Sequence, residues 1–262
     1  MSVLQESTAL NILIVGASRG IGLGFVRQFL GLEKNNVSVS SHHIYATYRS
    51  LESTTELFSL QTKYQDNLVT LPMDITDESS IVSAMAQIGK LTKQLHLVIY
   101  CVGILHDGDF QPEKSLRQIV PEHLMRYFQI NSIGAILLAK HIMPFLRHKE
   151  DSLFAAISAK VGSIGDNRLG GWYGYRASKA ALNMFLKTIS IEYSRRCPRT
   201  IVVALHPGTT DTDLSQPFQA NVPPGKLFPV SKTTKQLIEV MKNLELKDSG
   251  AFFSWDGSPL PW

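Results

Sequence analysis

Short apolar runs alternate along this chain with longer stretches of helical period. Leu10 to Val15 is a continuous apolar run flanked by turn residues, the pattern of a strand buried on both faces. The glycine-rich GASRGIG follows, then LGFVRQFL with apolar residues at helical spacing, so the first unit reads strand, loop, helix. The same alternation repeats. HIYATY precedes the helical TTELFSLQTKY, NLVTLPM precedes ESSIVSAMAQIGKL, and HLVIYCVG precedes a long helical region from about Pro121 to Leu146. LFAAIS leads to a helix spanning Tyr175 to Tyr193, TIVVALHPG leads to SKTTKQLIEVMKN, and AFFSW is the last apolar run. About seven strands with crossover helices predict an α/β fold, one parallel sheet covered by helices on both faces.

No Gly-, Ser- or Pro-rich linker separates two cores and no repeat is visible, so residues 1–262 are expected to form a single domain. Two segments stand out as insertions. GLEKNNVSVSSHH is longer and more polar than an ordinary helix-to-strand connection. Residues 207–229 carry five prolines and no helical period, and they follow the end of a strand. That placement predicts a lid over whatever the strand ends bind.

Composition narrows the field by exclusion. An apolar fraction of 44% with 18% charged residues belongs to an ordinary globular protein. A net charge of +4 is too small to point to nucleic acid or a membrane surface. Two cysteines, Cys101 and Cys197, provide neither a disulfide framework nor metal-ligand spacing, which favours a reducing compartment and no metal. MSVLQESTALN lacks the basic start and apolar run of a secretory signal, and Ile130 to Leu146 is too interrupted to span a bilayer. A cytoplasmic protein is expected.

The candidate chemistry starts in the first loop. Gly16, Gly20 and Gly22 lie between strand and helix, where glycine lets the backbone approach a pyrophosphate and the helix N-terminus offers unpaired N–H groups. Ser18, Arg19 and Ile21 belong to the same loop. In an alternating α/β chain this is where a dinucleotide binds. The second strand ends Ala46-Thr47-Tyr48-Arg49 without the acid that would accept from ribose hydroxyls, while Arg49 and Arg19 could pair with a 2′-phosphate. NADP(H) is favoured over NAD. Further along, Tyr175 and Lys179 are spaced to share one face of a helix, and an ammonium beside a phenol eases proton transfer from it.

With the glycine loop, Tyr175-x-x-x-Lys179 and the alternating chain together, the sequence resembles the short-chain dehydrogenase/reductases over essentially its whole length. GSIGDNRLGGWYGYRASKAALN is similar to the branch holding the C-factor-like and sniffer-type carbonyl reductases. The resemblance implies a Rossmann-type doubly wound sheet and a nicotinamide-dependent reaction on a carbonyl or alcohol. It places Asp74 and Ile75 near the adenine, and Gly103 at a tight turn whose usual two asparagines are here Tyr100 and Cys101. It gives Asn131 a water-holding role in a proton relay, Lys179 the nicotinamide ribose, and Pro207, Gly208, Thr210 and Thr212 the nicotinamide amide. It also implies a homodimer or homotetramer through the helices of Asn131 and Tyr175.

One departure bears on catalysis. Where the family has a catalytic serine separated by two residues from a glycine, Ser158-Ala159-Lys160-Val161-Gly162 puts Ala159. Ser158 could serve if a bulge absorbs a one-residue shift, Ser163 could reach back, or neither acts and the substrate oxygen loses a donor. Of these, Ser158 is taken as the candidate. Trp172, Phe218 and Phe228 are candidate walls for an apolar or aromatic substrate. A cofactor-binding redox sensor with little catalysis is the reading from another class, motivated by Ala159.

Overall fold

The computed structural model describes residues 9–32 and 41–262; most of the insertion expected after the first helix falls outside them. Seven parallel strands form the sheet: β1 (Asn11–Val15), β2 (His43–Tyr48), β3 (Leu68–Pro72), β4 (Leu97–Tyr100), β5 (Ser152–Ile157), β6 (Thr200–His206) and β9 (Ala251–Ser254). Their order is β3-β2-β1-β4-β5-β6-β9. Side-chain alternation divides the apolar residues between two cores. Leu13 and Val15 of β1 join one cluster, Ile12 and Ile14 the other, and all four are fully buried. A strand covered on both faces needs a continuous apolar run, which explains why NILIV shows no alternation.

The helices are α1 (Gly20–Phe29), α2 (Thr55–Lys63), α3 (Glu78–Leu91), α4 (Pro121–Phe128), α5 (Gly134–Ile142), α6 (Tyr173–Arg196) and α7 (Val230–Lys242). α3, α5 and α6 feed the first core, α1 and α7 the second. Chain direction across the sheet reverses between β1 and β4, which opens a crevice beyond their C-terminal ends. Both candidate motifs open onto that crevice. No helix among the described residues is long and apolar enough to cross a membrane.

Two local departures from the sequence expectations shape the site. The long helix expected from Pro121 to Leu146 is divided by a π-helical turn over Gln129–Ile133, followed by α5 and a 3₁₀ turn at Met143–Leu146. In the wide turn the Ile130 carbonyl accepts from the Tyr100 hydroxyl at 3.0 Å, so the altered helix geometry is tied to the end of β4. Residues 207–229, expected from the sequence to be a lid and called the lid segment on that expectation, are also more structured than a plain loop. β7 (Thr209–Thr210) pairs with β8 (Leu227–Phe228), and a 3₁₀ turn covers Gln216–Asn221.

Candidate active site

The Gly16–Gly22 turn derives its shape from two glycines. Gly16 has φ +81°, a left-handed conformation, and a Cβ on Gly22 would stand 2.1 Å from the Gly16 carbonyl oxygen. α1 therefore starts hard against the turn. It has no side-chain cap and no acid in its first turn, so its N-terminal N–H groups suit an anion. At the end of β2, Arg49 is exposed and has no ion-pair partner among the described residues. Arg19 reaches across the mouth to Asp213 of the lid at 2.5 Å; both side chains are more than half exposed, so the pair is weak and readily exchanged.

Gly16, Ser18, Arg19, Gly20, Ile21, Gly22, Arg49, Asp74, Ile75, Gly103, Lys179, Pro207, Gly208, Thr210 and Thr212 all line one cavity of about 1260 Å³. Tyr175 and Ser158 line it too. Its size, its glycine cradle and the cationic rim at Arg49 suit a phosphorylated dinucleotide. Some of these side chains have other partners as well. The Asp74 carboxylate accepts from the Thr76 N–H and hydroxyl, while the α3 cap is Asp77. The Thr210 hydroxyl pairs with Thr233 at 2.9 Å.

α6 carries Tyr175 and Lys179, the pair expected from the sequence to move a proton, on its buried face. Tyr175 is 6% exposed and its hydroxyl has no hydrogen-bond partner among the described residues. One turn on, Lys179 Nζ donates to the Ile157 carbonyl at 3.0 Å and lies 5.9 Å from the Tyr175 ring centre. Burial has opposite effects on the two. It raises the Tyr175 phenol above its ordinary value and lowers the Lys179 ammonium to about 8, with the Cys101 thiol opposing the second shift. In the chain alone, desolvation of the phenol thus outweighs the pull of the ammonium expected from the sequence.

Asn131 does not line the cavity. It is fully buried in the π-helical turn, with Oδ1 accepting from the Ile104 N–H (2.7 Å) and Nδ2 donating to the Ile104 carbonyl and to Ser178 Oγ (3.0 Å each). Both amide protons are engaged, so the side chain fastens the strand-β4 loop to α6 and has no free donor for the relay water expected of it. The hydroxyl expected at Ser158 is likewise committed. Ser158 Oγ donates to Asn183 Oδ1 at 2.6 Å, one turn beyond Lys179. No bulge re-aims it, because β5 and β6 remain in register through Ile157–Leu205 and the Ser158 N–H bonds to the Leu205 carbonyl. Ser163 donates to the Trp262 carbonyl (3.3 Å) and accepts from the Asp166 N–H (3.2 Å). Ala159 is the residue at this strand end that packs in the Tyr175 cluster.

That cluster forms an apolar wall. Trp172 lies edge-on to Tyr175 (ring centres 6.1 Å) and to Phe218 of the lid (5.0 Å), with Leu105, Val161 and Leu214 nearby. Phe228 is not part of it. Its ring packs on Trp255 at 4.8 Å beneath Gly208, because β8 turns it to the protein side of the lid. At the end of β6, His206 accepts from the Lys160 N–H, and burial holds its imidazole at about 4 and therefore neutral. Sequence reading missed Glu113, Leu105 and Tyr127, which come from the stretch after β4 and from α4. That stretch has no period and no motif; only Tyr127, as an aromatic on an amphipathic helix, carried a signal.

Comparison with known proteins fits this geometry. The family model of the short chain dehydrogenases matches residues 10–223. The chain belongs to the short-chain dehydrogenase family and is an oxidoreductase by that membership. A carbonyl reductase from chicken fatty liver, solved with NADPH bound, superposes with a TM-score of 0.84 at 30% identity, covering 97% of this chain and 99% of that one. The carbonyl reductase Sniffer of D. melanogaster gives 0.83 at 28% identity, covering 97% and 100%. C-signal of Myxococcus xanthus is 32% identical over 139 residues, 53% of this chain and 78% of that protein. The chain thus has C-factor-like and sniffer-like relatives.

Proposed function

We propose that this protein is an NADPH-dependent carbonyl reductase in which Tyr175 protonates the substrate oxygen. The observation carrying the reading is an unpartnered phenol in the wall of a dinucleotide-sized cavity, one helical turn from a buried ammonium. The cradle at Gly16–Gly22 and Arg49 would hold the cofactor's phosphates, Lys179 its nicotinamide ribose, and the Pro207–Thr212 segment its amide. When bound, a nicotinamide would provide the hydride that the carbonyl carbon receives. Tyr175 supplies the proton to the oxygen.

The raised phenol pKa favours one direction. An alkoxide is far more basic than a phenolate, so Tyr175 can protonate it even when burial makes the phenol a weaker acid. Alcohol oxidation instead needs the phenolate first, which burial disfavours. Reduction is therefore the direction this environment supports. The wall of Trp172, Phe218 and Leu214 suits an apolar or aromatic carbonyl. Ala159 leaves the oxygen without the second donor, which lowers the rate by about a hundredfold relative to a site with one.

The same missing donor favours a second reading, a sensor that binds NADP(H) with little turnover. NADPH oxidation against a panel of aldehydes, ketones and quinones, with NADPH binding measured in parallel, separates the two. Turnover on an aromatic carbonyl supports the reductase; micromolar binding without turnover on any substrate refutes it and supports the sensor. We further propose self-association as a homodimer or homotetramer, supported by exposed Met125, Ile133, Met184 and Ile191 on the outer faces of the α4 and α6 region, and a cytoplasmic location, in keeping with two free cysteines. Sedimentation as a monomer at micromolar concentration would overturn the former.

A further inference from the structure

Glu113 is a buried carboxylate that the reaction described above does not use. It lies between β4 and α4 and is 2% exposed. Its backbone carbonyl accepts from the Trp172 N–H at 2.5 Å, and its Oε2 accepts from the Gly174 N–H at 3.1 Å. One residue thus holds both sides of Tyr173, at the point where the chain enters α6. Its other oxygen, Oε1, is buried with no partner.

Three features make this anchorage more than ordinary capping. Trp172 has φ +51°, the one non-glycine residue in the left-handed region among those described, a conformation that is unfavourable for a bulky side chain and persists only where its surroundings fix it. Gly174 lies so close to α4 that a Cβ there would stand 2.4 Å from Tyr127 Cδ2, so position 174 must stay without a side chain. Among the described residues, the only side-chain hydrogen bonds from within the first turn of α6 are those of Arg176 to the Gly171 and Val161 carbonyls, not to α4 or the stretch after β4. Finally, a carboxylate with one oxygen unpaired is a costly group to bury. An apolar residue would bury more cheaply, but would leave the Gly174 N–H orphaned at the start of the helix.

We propose that Glu113 is a positioning residue for carbonyl reduction, setting the Trp172–Tyr175 segment so that the proton donor and the aromatic wall face the cavity together. The role rests on the reductase reading above. Trp172 stands between Tyr175 and Phe218, so a shift of the segment moves the phenol and the substrate wall at once. The glycine cradle and Arg49 are on other elements and do not depend on it. Glu113 should therefore govern turnover and carbonyl binding, and leave NADPH binding alone.

Glu113→Ala and Glu113→Gln are compared with wild type by amide hydrogen exchange over residues 172–178, by NADPH binding, and by steady-state reduction of an aromatic ketone. For Glu113→Ala the expected result is faster exchange in this segment, a fall in kcat of at least ~10-fold, a raised ketone KM and an NADPH Kd within ~2-fold of wild type. Glu113→Gln keeps a carbonyl acceptor for Gly174 and should restore exchange and bring kcat to within ~3-fold. Wild-type exchange and kcat in Glu113→Ala would overturn the proposal, and so would a Glu113→Gln variant as impaired as Glu113→Ala. If Glu113→Ala does not fold, Glu113→Asp, too short by one methylene to reach Gly174, is read in its place with the same two outcomes. A wild type that binds NADPH but reduces no carbonyl sinks the functional reading instead, while exchange in the variants still decides whether Glu113 holds the segment.

Discussion

Installing a serine at position 159 tests the chemical weak point of this site directly. Ala159 packs with Tyr175, Val161 and Trp172, and its backbone is extended at φ −146°, ψ 142°, which serine adopts without strain. The serines on either side have their protons committed, Ser158 to Asn183 and Ser163 to the Trp262 carbonyl. A single preorganised donor to a developing oxyanion contributes ~3 kcal/mol, or about a hundredfold in rate. Ala159→Ser should therefore raise kcat for an aromatic ketone by ~10- to 100-fold, the lower figure applying if the hydroxyl rotates away part of the time. NADPH affinity should change by less than about twofold, since the interaction is made in the transition state. The assay is loss of NADPH absorbance under saturating cofactor, with Ser158→Ala run alongside. That control loses one buried hydrogen bond, ~1 kcal/mol of stability, and should keep its kcat. Unchanged kcat in Ala159→Ser, or a hundredfold loss in Ser158→Ala, would show that Ser158 already serves the oxygen and refute the reasoning.

Other expectations follow from the cofactor rim and the buried lysine. Arg49→Asp should weaken NADPH by ~10-fold or more while NADH weakens less or tightens, as measured by fluorescence titration; equal losses for both would remove Arg49 from the 2′-phosphate site. Because Lys179 titrates near 8, its cation is present at neutral pH and lost as pH rises through 8, so kcat/KM for reduction should fall on the alkaline side with an apparent pKa near that value. The stability sign is opposite. The folded value lies below the 10.5 of the free side chain, so burial of the ammonium costs ~3 kcal/mol at pH 7, and that cost is relieved between pH 8 and 10.5. Lys179→Met should lose activity yet keep a melting temperature at least equal to wild type at pH 7. There the removed cost offsets the ~1–3 kcal/mol of leaving the Ile157 carbonyl unpaired. A drop of more than about 5 °C would contradict it.

The sheet was readable because a strand buried on both faces writes itself as a continuous apolar run; NILIV, HIYATY and LFAAIS each became a strand at that place. The α6 pair was readable because four-residue spacing fixes a shared helix face whatever the surroundings. What sequence could not give was the direction in which small polar side chains turn. Ser158 and Asn131 each have a buried protein partner in a neighbouring element, and such pairings depend on tertiary packing that leaves no local pattern. The π-helical turn at Gln129–Ile133 was hidden for a related reason. The hydrogen bond that ties it to the sheet, from the Tyr100 hydroxyl to the Ile130 carbonyl, links residues thirty positions apart. Phe228 was misplaced because a two-residue ribbon, β7 with β8, decides which face of the lid it occupies. Electrostatics went the same way: the spacing of Tyr175 and Lys179 predicts attraction, while the desolvation that opposes it depends on the whole core.

The central claim is that the Tyr175 hydroxyl delivers the proton in carbonyl reduction. Tyr175→Phe removes that oxygen alone and leaves the ring in its apolar cluster, so folding and NADPH binding should be nearly unaffected. Side by side, NADPH titration and aromatic ketone reduction should give a Kd within about twofold of wild type and a kcat lowered by ~10²- to 10⁴-fold, the range for loss of a positioned acid. A variant that turns over at the wild-type rate would contradict the account.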